Sequence, residues 1–480
     1  MRTSTLDTSP SEKLDPHAAT SSTAVYLVSM LFNTLVDVDD SNNVSPGLAE
    51  KWRVSKDAKK WSFTLRPGVA FHDGTPLTAR DVAWSLRRIL EEKTASPFRS
   101  RLATSLDADG IDVVDDLHFT LRLKRADSLL VEALGNRSAL IVKDQQDEFT
   151  VENTVGTGPF QLKSFSPGKS FEVTRNENYF REGRPYLDGI QNSYIDQAAL
   201  LDAVASGSVD WTDGIPIKTA SRLRKDQRFR AAAFGSNARM MRVYFLHMDL
   251  TAKPFDDPRV VKAMKLAADR DAIRRAVLGD VDASATTGDV PVPQADPLYP
   301  DAVGNRPQDI AQAKQLLADA GYPNGIDVEL PTAELLPGMT DLSVAYAETV
   351  KDAGIRIAIR RVPADTYFDR VFGTTALFHD LAQRRPAYDI MAAFFQRGGA
   401  YNANGFDSDG EVSKRLAATL AETDRQKRDA ILSDALNYVA DNSGTVIPFF
   451  LPDPEVASVA VQGSPFEILG YSWENVWLNR

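Results

Sequence analysis

Arg397 lies between an aromatic pair and two glycines, in the run Phe394-Phe395-Gln396-Arg397-Gly398-Gly399-Ala400-Tyr401. A guanidinium donates two parallel hydrogen bonds to a carboxylate. The glycines would let backbone amides approach the same anion. Tyr401, Asn402 and Asn404 then offer neutral donors and acceptors suited to hydroxyl or amide groups. This stretch has the chemistry to recognise a polar, acid-bearing molecule. It also reads as a structural arginine paired with a neighbouring Asp or Glu beside a shaped loop, and both readings stay open.

His72-Asp73 is the other conspicuous pair. As a dyad it would bind a metal or assist hydrolysis; followed by Gly74, it reads as turn chemistry. The five histidines, His17, His72, His118, His247 and His379, show no ligand spacing. Neither a protein-only transition-metal site nor a cofactor is expected. The chain has no cysteine, which excludes disulfides, thiolate metal sites and a cysteine nucleophile. Val155-Gly156-Thr157-Gly158-Pro159-Phe160 lacks the Lys-Ser/Thr of a phosphate loop. There is no nucleophile elbow and no histidine-centred triad spacing. A hydrolase using paired carboxylates is the competing class, since carboxylates are plentiful and sequence does not place them.

The elements that must position such residues are partly legible. Trp61, Phe63 and Leu65 alternate with Ser62 and Thr64, the period of a half-buried strand. Pro67-Gly68 breaks it, and Asp73-Gly74 turns the chain again. Thr78 stands at capping-box spacing from Asp81, and Val82, Leu86 and Ile89 share one helical face. Phe119 to Leu123 alternates as a strand, 129 to 134 reads as a short apolar helix, and 139 to 142 as a buried strand. Strand 325–330, helix 345–353 and strand 355–359 alternate as in an α/β lobe. Residues 416 to 440 are helical by period.

At 480 residues the chain exceeds one hydrophobic core. Hydrophobic content of 43% and charged content of 25% are ordinary for a globular protein. A net charge of −11 argues against nucleic acid as a partner. No run of apolar residues is long enough to span a membrane.

Arg66-Pro67-Gly68-Val69, Phe71-His72-Asp73-Gly74-Thr75-Pro76 and Thr78-Ala79-Arg80-Asp81-Val82 together form an extended signature. Val155 to Phe160 and Pro254-Phe255-Asp256-Asp257-Pro258-Arg259-Val260 are two further landmarks. The chain resembles the extracytoplasmic solute-binding proteins of peptide, nickel and opine ABC importers, family 5. The resemblance covers roughly residues 14 to 477. It implies an α/β fold of two lobes, the type II periplasmic-binding-protein architecture with an extra subdomain in lobe 1. Lobe 1 would comprise residues 1–47, 170–242 and 456–480, with the inserted subdomain at 48–169 and lobe 2 at 243–455. A solute would sit in the cleft between lobes, which close like a hinge.

The resemblance also implies site residues. Peptide binders of the family carry Trp-x-x-Asp where the alignment puts Phe394 and Arg397, which inverts the charge that would hold a peptide amine. Gln396, Gly398, Tyr401 and Asn404 accompany them. Tyr26 follows a segment that edges the family's cleft, although an aromatic in an amphipathic helix also suits a core. Arg137 lies on a loop expected to reach the cleft, Arg370 matches a basic position used for a carboxylate, and Asn237 and Arg239 precede the first crossing. The expected protein is a monomeric receptor outside the cytoplasm, its export signal removed. It would deliver a small carboxylate-bearing solute, an opine or sugar–amino-acid conjugate, to an ABC permease. A di- or oligopeptide is the alternative.

Overall fold

The computed structural model describes residues 1–5, 12–39, 41–213, 215–232, 241–279, 286–304, 306–335, 338–452, 454–467 and 470–479. Asn237 and Arg239 lie outside these. Three sheets organise the chain. The first has seven strands, in the order 229–232, 455–458, 211–212, 2–4, 189–193, 170–175 and 160–166. Arg2–Ser4 runs parallel to both its neighbours. Behind this sheet Tyr26, Trp211 and Trp473 form an aromatic core, with Tyr26 stacked on Trp211 at 5.9 Å and edge-on to Trp473 at 4.6 Å.

A four-stranded antiparallel sheet, 49–54, 60–65, 118–123 and 106–113, makes the inserted subdomain. Trp61, Phe63 and Leu65 point into its core, and Phe63 stacks on Phe119 across the strand pair at 4.8 Å. Ala79–Leu90 packs over that core, opened by the Thr78–Asp81 capping box.

The third sheet is centred on Met241–Met248. Leu377–Gln383 lies on one side of it, and Thr445–Val446 and Phe450–Pro452 on the other. Ile326–Thr332 and Ile355–Arg361 pair in parallel beside it, joined through the helix Met339–Val350. Separate apolar clusters pack around the central strand, one with Tyr244 and Leu246, the other with Val243 and Phe245. A strand buried on both faces is apolar at nearly every position, as this one is. The chain leaves the first sheet after Phe229–Ala232 and returns to it at Glu455–Ser458.

Two local expectations change. Residues 139–142 are buried, but they are not a strand. Ile141 donates to Asn33 O and Val142 to Ser85 Oγ, so single partners replace a ladder. The helical stretch 416–440 is two helices, Glu411–Ala421 and Arg425–Asn442, with Asp424 capping the second through Lys427 N.

Two sequence landmarks lock together. Gly156 and Gly158 pass so close to the end of helix Ser22–Leu31 that a Cβ at Gly156 would sit 1.9 Å from Leu31 O. His72 Nδ1 accepts from Gly156 N, so its Nε2–H donates to Gly158 O at 3.0 Å. Burial lowers the His72 pKa, and both ring nitrogens are occupied by backbone. His72 therefore clips its turn to the Gly156–Gly158 loop, and that loop packs on the end of helix Ser22–Leu31.

Candidate functional site

The lobes meet where Leu377–Gln383 ends and helix Ala387–Phe394 begins. Strand pairing ends at Gln383, and Arg384, Arg385 and Pro386 turn the chain into the helix. Asp389 falls in its first turn, where a carboxylate suits the helix dipole. Lobe 1 faces this corner with Arg101, from the short helix Arg99–Ala103, and with Arg137, from the turn after Leu130–Ala133.

Contacts across the seam are polar. Arg137 Nη2 donates to Gln383 Oε1 at 2.6 Å. Arg101 makes a bidentate pair with Asp127 at 2.8 and 3.2 Å, while its Nε lies 3.3 Å from Asp389 Oδ1 across the seam. Its guanidinium also lies over the Tyr388 ring, 5.1 Å from the centroid. Burial opposes the Arg101 cation, yet the flanking Asp127 and Asp389 raise its pKa above the ordinary value. Burial pushes the Asp389 carboxyl up against the pull of Arg101 and Arg385.

Arg384 turns inward, 3.5 Å from Asp296, and both side chains are buried. Arg385 lies 5.7 Å from the ring centroids of Phe394 and Tyr401, which stack at 4.9 Å. Asp380, on the strand before them, is buried; its Oδ2 takes no hydrogen bond and lies 4.0 Å from His247 Nε2. Burial pushes its carboxyl up to about 7, against a Leu381 N–H and the Arg385 charge. The corner thus holds both signs of charge in a small space. Beside it a pocket of about 60 Å³ lies between the lobes, with Val38, Leu129 and Ala133 facing Pro297, Leu298 and Leu432. Among the described residues no group of three or more His, Asp or Glu is arranged to hold a metal ion.

The residues singled out in the sequence fall in different places. Arg137 is at the seam. Phe394 is buried and forms the aromatic stack with Tyr401, which is 42% exposed. Gln396 is half-buried, and its carbonyl accepts from Asn402 Nδ2. Gly398 turns the chain at φ +77°. Arg397 is exposed; its backbone N–H donates to Asp407 and its Nη1 reaches Ser408 O at 3.4 Å, both in its own lobe. Arg370 is exposed in the helix Tyr367–Arg370. Asn404 is 1% exposed, with its Oδ1 accepting from Phe406 N. Tyr26 is fully buried, and its hydroxyl donates to Thr3 Oγ1. In this conformation Tyr26 and Asn404 are packing and turn residues.

The charged contacts between lobes lie at 383–389, ahead of the 394–401 run. Asp389 is the charged residue of this region that faces lobe 1, and Arg101, Gln383, Arg385 and Tyr388 join it. The signal for them was present: two arginines and a proline close a strand whose other neighbour is the apolar run 241–248.

Two α/β lobes with an inserted subdomain and a charged corner between them are the architecture of the two-lobed periplasmic binding proteins. The model for bacterial extracellular solute-binding proteins, family 5, matches residues 43–402, and the chain belongs to that family. It is 24% identical over 437 residues to heme-binding protein A of Haemophilus influenzae, covering 85% of this chain and 76% of that one. It is 25% identical over 442 residues to the glutathione-binding protein GsiB of Pectobacterium atrosepticum, covering 89% and 84%. The periplasmic binding protein AgaA of A. tumefaciens, solved with agropinic acid, superposes with a TM-score of 0.79 at 24% identity, over 100% of this chain and 98% of that one. The last likeness carries the fold, and the three names span different solutes.

Proposed function

We propose that the protein captures a compact, carboxylate-bearing solute, an opine or sugar–amino-acid conjugate, outside the cytoplasm and hands it to an ABC permease. The observation that carries this reading is the corner at 383–389. Arg137 and Arg385 approach it from opposite lobes, and Gln383 adds a neutral amide. A guanidinium that gains a carboxylate in place of water makes a strong, directional pair. Asp389 beside them suits the amino group that an opine also carries. Closure of the lobes would desolvate these contacts and bring cations from both sides onto one ligand.

Calorimetry against opine-like acids and against di- and tripeptides tests the reading. Arg385→Ala and Arg137→Ala should each weaken binding of the acid by about 2–5 kcal/mol, much of it from a stranded carboxylate. Tight peptide binding that survives both substitutions would sink the proposal. Asp389 supports the peptide alternative, because a carboxylate at the seam can accept a peptide ammonium if Arg101 releases it. Asp389→Asn separates the two readings: it should abolish peptide binding and only weaken that of an acid. Mass spectrometry of the compound released on denaturation would identify the solute directly.

A further inference from the structure

We infer that segment 127–132 of the inserted subdomain is a latch that holds the lobes together, with Ser128, Glu132 and Arg428 as the residues that set the closed fraction. The segment is anchored on the subdomain side. Asp127 is fully buried, bound by Arg101 and Ser105 Oγ, and its carboxylate accepts from Leu129 N. Its backbone is pinned as well: Trp61 Nε1 donates to Asp127 O at 3.0 Å, and Asp127 N donates to Ala58 O at 2.9 Å.

From that anchor the segment reaches into lobe 2 and caps a helix there. Ser128 N donates to Leu420 O at 2.9 Å and Ser128 Oγ to Thr419 O at 3.1 Å. Both carbonyls belong to the last turn of Glu411–Ala421, where a helix leaves acceptors unfilled. The next helix closes the contact from the other side. Arg428 Nη1 donates to Ser128 O at 3.3 Å and Nη2 to Glu132 Oε1 at 3.0 Å. Arg425 adds a bond to Asn43 Oδ1 at 2.9 Å.

Three of these five bonds end on backbone carbonyls, so they depend on lobe position rather than on the solute. Every group in them can be hydrated when the lobes part, so the net worth of each bond is modest. That suits a closure that must reverse. The inserted subdomain thereby acts as the arm by which lobe 1 grips lobe 2.

The test needs no solute, so it is independent of the ligand proposed above. Because the chain lacks cysteine, Val114→Cys and Val344→Cys, at exposed positions on the subdomain and lobe 2, can carry two nitroxide labels. Their distance distribution is read by double electron–electron resonance on ligand-free protein. The otherwise unaltered chain should show a closed distance, and Arg428→Ala, which removes two bonds of modest net worth, should lower the closed-to-open ratio about tenfold. Ser128→Ala should lower it less. Adding Glu132→Gln to Arg428→Ala should restore part of the ratio, because it removes the carboxyl that closure would otherwise strand without its partner. Should Arg428→Ala fail to fold, Ser128→Ala and Arg425→Ala carry the same readout. Variant distributions that superimpose on the parent, or a parent with no closed distance, would overturn the latch.

Discussion

Two neighbouring stretches of lobe 2 carry arginines and use them in opposite ways. At 383–389 the cations face carboxylates and aromatic rings in a partly dry corner: Arg384 against Asp296, Arg385 over Phe394 and Tyr401, and Arg101 of the other lobe against Asp389. At 394–401 Arg397 stands on an exposed turn held by Asp407 and Gly398. The residue type is the same, yet the Arg101 and Arg384 side chains are largely buried and paired, Arg385 is half-buried over two rings, and Arg397 is exposed to water. Burial, and not the presence of a guanidinium, decides which can carry binding energy.

The sharpest way to break this contrast is Arg101→Ala. It would leave the fully buried Asp127 and the half-buried Asp389 without their common partner, and removing one member of a buried pair costs about 3–5 kcal/mol. Urea unfolding should show that loss, largely recovered in Asp127→Asn/Arg101→Met, where charge and partner leave together. A cost no larger than that of a surface change would mean that the seam is as wet as the 397 turn.

How much of this could be read beforehand follows from how local each signal is. Strand 60–65, the turn at 73–74 and the Thr78–Asp81 cap are written in adjacent residues, and they appear as read. Segment 139–142 has the composition of a strand, but nothing in sequence says that no strand will lie beside it. The charged corner is less legible still. Arg137 and Gln383 are 246 positions apart, and only the return of the chain between lobes joins them. The resemblance points to Phe394 and Arg397 because they stand where peptide binders carry Trp-x-x-Asp, whereas Arg385 and Asp389 lie in a plain strand-to-helix corner. The capping of Glu411–Ala421 by a serine of another lobe has no sequence signature, because any exposed Ser can do it.

Protonation gives a second, smaller contrast, between Glu132 at the latch and Asp380 inside lobe 2. Burial pushes Glu132 up to about 7, with Arg428 pulling down and Asp429 pushing up; Arg425 and Arg101 also lower it. A carboxyl whose pKa rises on closure binds a proton as the lobes close. If parting the lobes rehydrates Glu132 and returns it to the ordinary 4.5, the closed state, where burial holds it at about 7, binds more protons between those values, and closure weakens as pH rises through that window. Asp380 is buried within one lobe, so its raised pKa makes folding, and not closure, weaken with rising pH. Label distances measured from pH 5 to pH 8 should therefore show a closed fraction that falls with pH. Glu132→Gln should flatten that profile, and Asp380→Asn should leave it in place while flattening the pH dependence of unfolding. A closed fraction indifferent to pH would remove Glu132 from the latch.

The smallest expected effect is the most direct check on the comparison of the two arginine stretches. Arg397→Ala removes an exposed side chain whose one hydrogen bond is a 3.4 Å contact to Ser408 O. The anchoring bond at this position is made by its backbone N–H to Asp407, and that survives the substitution. Asp407 also takes Val412 N and Ser413, so the start of Glu411–Ala421 stays capped. Both stability and solute affinity should stay within about 0.5 kcal/mol of the parent, as for an ordinary surface change. Arg385→Ala, measured in the same calorimeter against the same acid, should differ from it by an order of magnitude or more in Kd. If the two losses are equal, Arg397 reaches the solute in a conformation of the 396–402 turn other than this one, and the cleft extends further along lobe 2 than the 383–389 corner.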